Sequence, residues 1–343
     1  MGVLVFMLAL VPLTGGDTIF LLRAESPGPS VSKVVPRMRT TAAILYAIYL
    51  GMTLLEILLL LAGGMPLFDS ICHAFGTAGT GGFGIKNDSL AGYSTYLQGV
   101  ISVFMLLFGI NFNFYVFLLM RRFKTALRIS EVWAYLGIVA SAVLIITVNI
   151  LPQSAGVFPA FHHALFSVSS IITTTGYATA DFNLWPELSR ILLVILMLVG
   201  ACAGSTGGGM KVSRIMILIK SCRCEVSRLL HPREVKVMTM DGKRVPDGTV
   251  RGVQAYCTAY VLITVSSILL VALDNFDFTT TVTAVIATLN NIGPGLGMVG
   301  PAGGFAAFSP LAKVVMTLDM LFGRLELFPL LILLSPRTWR RGA

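Results

Sequence analysis

Seven runs of about 20 apolar residues, at 3–22, 41–63, 97–120, 132–151, 191–219, 253–273 and 311–334, dominate the 343-residue chain. A helix needs that length to cross a hydrocarbon core, and inside a bilayer no water is present to satisfy an irregular lipid-facing backbone. The chain is therefore read as an all-α membrane protein. Composition agrees, since 12% of the residues are charged, about half the share found in soluble domains. The run at 3–22 is followed by charged residues and Pro rather than a small-residue cleavage site, and so reads as a retained span.

Basic residues set the orientation. Of the 25 Lys and Arg, all but Lys86, Arg190, Lys313 and Arg324 lie in the segments 23–40, 121–131, 211–252 and 335–343. The positive-inside rule puts those segments in the cytoplasm, with 64–96, 152–190 and 274–310 outside. Strict alternation through all seven spans follows, with a cytoplasmic C-terminus. The net charge of +9 is thereby a statement about membrane topology and gives no reason to invoke nucleic acid. The cysteines form an odd set, and Cys222 and Cys224 read as incidental thiols on the reducing side.

Each outer segment is too long for a simple connector and carries an apolar stretch of half a membrane's length. "FDSICHAFGTAGTGGFG" (68–84), "FPAFHHALFSVSSIITTTGYA" (158–178) and "FTTTVTAVIATLNNIGPGLG" (278–297) share one order: Phe, a helical stretch, a Thr- or Asn-rich exit, then Gly before a large apolar residue. Matching Gly82-Phe83 with Gly176-Tyr177 and Gly295-Leu296 makes this an internal repeat of span, re-entrant segment and span. The chain divides accordingly: 1–39, the closing span of an incomplete first repeat plus its linker; 40–130, the second; 131–252, the third; and 253–343, the fourth. Around Asp241-Gly242 the cytoplasmic stretch 231–252 alternates like a hairpin.

Irregular backbone at membrane depth is tolerated only where it lines a cavity or is packed in protein. A half-helix that stops and returns through Thr and Gly presents successive backbone carbonyls, which can replace the water shell of a cation. "TTGY" (174–177) resembles the core of a potassium-channel filter, Thr-Val-Gly-Tyr-Gly. A second irregular stretch, "GACAGSTGGGMK" (200–211), interrupts the fifth run, and each Gly there weakens a helix by about 1 kcal/mol. Close packing of small residues is the structural alternative for it.

With "RAESPGP" (23–29), "TTTGYATADFNLWP" (173–186), "NNIGPGLG" (290–297) and "GRLELFPLL" (323–331), these motifs give a chain that resembles the Trk/Ktr/HKT superfamily of potassium transporters over nearly its whole length. The resemblance implies repeated span–pore-helix–span units around a pseudo-fourfold pore, the first unit incomplete here. The filter would be Thr80, Gly81, Gly82 and Phe83; Thr174, Thr175, Gly176 and Tyr177; and Gly293, Pro294, Gly295 and Leu296. The gate would be the intramembrane loop with Gly204, Ser205, Thr206, Gly207, Gly208, Gly209 and Lys211, met by Arg324 as a pore-lining charge. A local pair of Arg324 with Glu326 is the alternative, although residues two apart point to different sides of a helix.

The same resemblance implies uptake of K⁺ as transported ion in a bacterial cytoplasmic (inner) membrane, with no enzymatic step and no covalently bound cofactor. The partners would be a second copy of the chain and a cytoplasmic TrkA-like nucleotide-binding regulatory subunit docked on the basic loops, notably 220–252. Nucleotide would sit on that partner, because no Gly-rich phosphate loop follows a strand in this chain. Two other readings stay open: a truncated, non-conducting fragment of such a transporter, and a multi-span enzyme built on His73, His162, His163 and the cysteines. A zinc site on the histidines has no supporting spacing. Asn111 and Asn113 read as polar contacts behind the filter or between helices. Asp69, Asp181, Asp274 and Asp277 are either cation attractors at the outer mouth or ordinary solvated charge.

Overall fold

The computed structural model describes residues 38–231, 237–325 and 327–334. The expected span at 3–22 and its basic linker lie outside them, as does Glu326. In chain order the helices are α1 (Met38–Ala62), α2 (Leu67–Ala78), α3 (Thr95–Phe108), α4 (Phe112–Leu119), α5 (Phe123–Ala126), α6 (Ser130–Ile150), α7 (Val157–Ile172), α8 (Glu187–Val199), α9 (Val212–Leu230), α10 (Asp247–Val271), α11 (Phe278–Leu289), α12 (Pro310–Leu325) and α13 (Leu327–Leu334). Strands β1 (Thr239–Met240) and β2 (Lys243–Arg244) pair antiparallel as a hairpin. Asp241 and Gly242 turn it at φ 53° and 75°, values that Asp-Gly adopts readily. Asp241 also accepts hydrogen bonds from the N–H and Oγ of Ser130 at 2.8 and 2.6 Å, fixing the hairpin to the start of α6.

Among the described residues, three helices are long and apolar enough to cross a membrane unbroken: α1, α6 and α10. Each is followed by a short helix and a returning one, so that α1, α2 and α3 pack together, as do α6, α7 and α8, and α10, α11 and α12. Neighbouring triplets meet where α3 lies against α7 and α8 against α11. Polarity is arranged for lipid. Leu54, Leu55, Leu58, Leu144, Val148, Leu262 and Leu269 are exposed, whereas Ser169, Thr283 and Thr288 on the short helices are buried. Those buried hydroxyls donate to carbonyls one turn back, at Leu165, Thr279 and Ala284, as backbone-satisfied polar groups in an apolar setting must.

The run at 97–120 departs from the expected single span. It is two helices, α3 and α4, bent by 88°. Asn111 starts the second by accepting the N–H of Asn113 on its side chain, and the carbonyls freed at the break are taken up elsewhere. Gly109 O accepts the N–H of Cys202 at 3.1 Å, and Phe108 O accepts the N–H of Thr206 at 3.3 Å. A sharp kink is tolerable because another segment completes its hydrogen bonds. The run at 191–219 is likewise divided, into α8 and α9, by the Gly-rich stretch. The run at 311–334 is described as α12 and α13 on either side of residue 326.

Candidate functional site

The three short helices α2, α7 and α11 end in the same way, bond for bond. Immediately after each, Gly79, Thr173 and Asn290 donate to Phe75, Ser169 and Ile286 four residues back. Thr80, Thr174 and Asn291 then donate three residues back, and Gly81, Thr175 and Ile292 five back. In each turn two residues take positive φ, the first at Thr80 (51°), Thr174 (57°) and Asn291 (55°), the second at Gly82 (70°), Gly176 (89°) and Gly293 (104°). For Thr such a backbone is strained by about 1–2 kcal/mol, which the surrounding contacts must offset.

This geometry corrects the sequence register in the last copy. The partner of Gly82 and Gly176 is Gly293, two residues before the Gly295 chosen on the Gly-apolar dipeptide. The third turn is thus Asn291, Ile292, Gly293 and Pro294, while Gly295 and Leu296 lie beyond it. Leu296 is buried, with its N–H donated to Thr283 Oγ1 at 2.9 Å. The physical reason is that the pattern is set by distance from the helix end and by left-handed backbone, whereas the large residue after Gly is free to vary.

The turns gather side by side. A Cβ on Gly82 would collide with the carbonyl oxygen of Thr175, and one on Gly176 with that of Ile292, whereas one on Gly293 would meet none of the described residues within 4 Å. Three helix C-termini, each the negative end of its dipole, therefore converge with backbone oxygens at close quarters. Side chains brace the arrangement from behind. Tyr177 is buried, with its hydroxyl donating to His73 O at 3.3 Å, but Phe83, at the matching place in the first turn, is 85% exposed. Asn183 joins the triplet of α6, α7 and α8 to that of α10, α11 and α12 by accepting the Gly297 N–H at 2.9 Å and donating to Gly297 O at 3.2 Å.

The stretch 200–211 sits against all three turns. Thr80 Oγ1 donates to Thr206 O at 3.2 Å, the N–H of Gly208 donates to Thr174 Oγ1 at 2.6 Å, and Gly208 lies so near Asn290 that a Cβ would be 2.7 Å from its carbonyl oxygen. Lys211, itself buried, donates its Nζ to Gly207 O. Gly200 and Gly209, at φ 71° and 78°, close the loop on itself. Of the expected gate residues Arg324 alone stands apart: it is exposed and, among the described residues, makes no hydrogen bond or ion pair with the loop. Its neighbour Gly323 is what abuts the third turn, packed on Leu289 O and the Asn291 side chain.

Other candidates resolve into local roles. His73, His162 and His163 hydrogen-bond separately to Asp69 O, Gln98 Oε1 and Thr179 Oγ1. Asp69 accepts from the hydroxyl of Tyr93 at 2.7 Å, and burial together with that bond pushes the Tyr93 phenol up to about 12. Asp181 accepts the N–H of Asn183. Bonds from Ser309 and Thr280 hold Asp274 and Asp277 below the usual carboxylate range. Asn111 caps α4 and donates to Glu131 at 3.2 Å. Sequence reasoning passed over Glu131, Asn183 and Gly76; the first looks like an ordinary acid in a first helical turn, and the other two acquire partners only across units.

The cation-transport family model named TrkH matches residues 1–341. The Trk system potassium uptake protein TrkH of Salmonella typhimurium strain LT2 is 37% identical over 349 residues, covering 99% of this chain and 71% of the relative. The Escherichia coli K12 protein of that name is 36% identical over 346 residues, with the same coverage of 99% and 71%. Potassium uptake protein TrkG of Escherichia coli K12 is 34% identical, over 99% of the chain and 70% of its own length. Among solved structures, the crystal structure of the potassium transporter TrkH from Vibrio parahaemolyticus matches with a TM-score of 0.84 at 33% identity, over 98% of this chain and 70% of that one. A helical membrane fold and a matched family model along nearly the whole sequence agree: the chain belongs to the TrkH family of cation transport proteins.

Proposed function

We propose that this chain takes up potassium across a bacterial inner membrane by passing dehydrated K⁺ between the backbone oxygens of Thr80–Phe83, Thr174–Tyr177 and the third turn around Gly293 and Pro294. The observation that carries this reading is the bond-for-bond identity of the three helix exits and their mutual contact. No side chain is needed for the chemistry, because carbonyl dipoles supply the ligands that water supplied in solution. The stretch Gly204–Gly209, lying against Thr80, Thr174 and Asn290, is the gate. Arg324 adds positive charge near the third turn, where a passing cation would feel it. A second copy and a TrkA-like nucleotide-binding subunit are the partners, the latter on the cytoplasmic loops near 220–252.

Rubidium uptake into potassium-auxotrophic cells tests the proposal. Uptake above the vector control, competed by K⁺ and not by Na⁺, supports it. A specific observation favours one other reading, a non-conducting fragment: among the described residues nothing lies within 4 Å of a Cβ placed on Gly293, and Phe83 is 85% exposed. A form extended upstream by one complete unit separates the two. Uptake by the extended form alone would assign this chain as the fragment, and uptake by neither would overturn the transport reading.

A further inference from the structure

Glu131 stands in the first turn of α6 and is buried, yet none of its partners among the described residues belongs to α6. An acid in that position ordinarily serves the N–H groups of its own helix. Here Oε1 accepts the N–H of Ala203 at 2.6 Å and of Ser213 at 3.2 Å, and Oε2 accepts Nδ2 of Asn111 at 3.2 Å. Ala203 lies where the chain enters the Gly-rich loop, and Ser213 lies where it leaves into α9. Asn111 heads α4 at the 88° break, and a Cβ on Gly204 would sit 3.4 Å from its side-chain oxygen. One carboxylate thus gathers both ends of the loop and the kink beside it.

The loop needs such a holder. Five of its residues from 200 to 209 are Gly, which bring no side chains to pack and the greatest conformational freedom to lose. Hydrogen bonds to an ionised acceptor are the strong kind, and in a water-poor setting both ends of a chain segment are left unpaired if the acceptor goes. We propose that Glu131 is the positioning residue that latches the stretch 200–211 beneath the three turns. The proposal rests on reading that stretch as the gate, and adds which residue keeps it closed.

The test uses the full chain with Cys72, Cys222, Cys224 and Cys257 replaced by Ser, leaving Cys202 as its one thiol. Cys202 is buried next to Ala203, so its rate of reaction with a small water-soluble methanethiosulfonate reports where the loop is, independent of ion flux. Glu131→Gln turns a second amide toward the amide of Asn111 and removes the charge; it should speed the reaction about tenfold, the scale of one lost hydrogen bond to a charged group. Combining it with Asn111→Asp exchanges donor for acceptor: the introduced amide then donates to the introduced carboxylate, while its oxygen still accepts from Ala203 and Ser213. That pair should react at close to the parent rate, a rescue that general destabilisation does not produce. An unchanged rate in the single variant, or no slowing in the double, would overturn the latch. Rubidium flux into vesicles, measured alongside, addresses the gate itself: flux rising with thiol reactivity upholds both, while reactivity rising at constant flux keeps the latch and removes the gate.

Discussion

The hydroxyl of Tyr177 occupies the space that a side chain at Gly76 would fill, so the turn at Thr174–Tyr177 is braced by the short helix α2. Ring contacts of 5.7 Å between His73 and Tyr177 and 5.3 Å between His73 and Tyr93 extend the brace outward. Replacing Gly76 by Ala should force the Tyr177 ring aside, at about 1–3 kcal/mol for an overpacked contact. Discrimination of rubidium against sodium uptake should fall, while the variant still purifies from membranes. Full discrimination in Gly76→Ala would show that the tyrosine does not steady the turn.

Gly176 and Gly293 offer a paired comparison. Both have positive φ, but a Cβ collides with Ile292 O only at position 176. Gly293→Ala should therefore lose about 1–2 kcal/mol through backbone strain alone, and Gly176→Ala or Gly176→Ser appreciably more. Thermal unfolding in detergent ranks the variants, and equal losses at the two positions would contradict the close approach of the turns.

Deleting Gly207 and Gly208 removes the backbone that lies against Thr174 and Asn290. Basal rubidium flux should rise severalfold in vesicles. A flux no higher than the parent's would argue against a gate at this loop.

Asp277 caps α11 by accepting the Thr280 N–H at 3.0 Å, and that bond draws its carboxyl below the usual range. A depressed folded-state value means the contribution is present above the unfolded carboxyl's pKa, about 3.9, and is lost as pH falls through the lower folded value. Asp277→Ala should cost about 1 kcal/mol at neutral pH, as a lost N-cap does. The gap to the parent should shrink as the medium is acidified below about pH 4. Unfolding temperatures of both proteins across that range measure it, and a gap independent of pH would mean the carboxylate is not the cap.

The long helices and the short helices between them were legible because length, Phe-to-Gly order and hydroxyl content are local properties of the chain. Tyr177 and Thr174 stood out for the same reason. The last turn was misplaced by two residues because Gly293-Pro294-Gly295 offers two glycines, and only the backbone angles counted from Leu289 decide between them. The break at Gly109–Asn111 was hidden inside an apolar run: what permits it is the backbone of Cys202 and Thr206, far away in sequence. Glu131 was missed on similar grounds, since nothing around Ser130 announces that its partners are Asn111, Ala203 and Ser213. Arg324 was legible as an unusual charge in a span, but its meeting with the loop was not what the described residues contain.

Gly82 lies against Thr175 O and Gly176 against Ile292 O, so the turns touch in series and the middle one has a neighbour on either side. Such contacts work like tiles laid edge to edge, each one walling in the next. A push on Ile292 reaches Gly82 only by way of Thr175 and Gly176, and a push on Gly82 returns by the same route. The middle tile is accordingly the one that every disturbance in the row must cross.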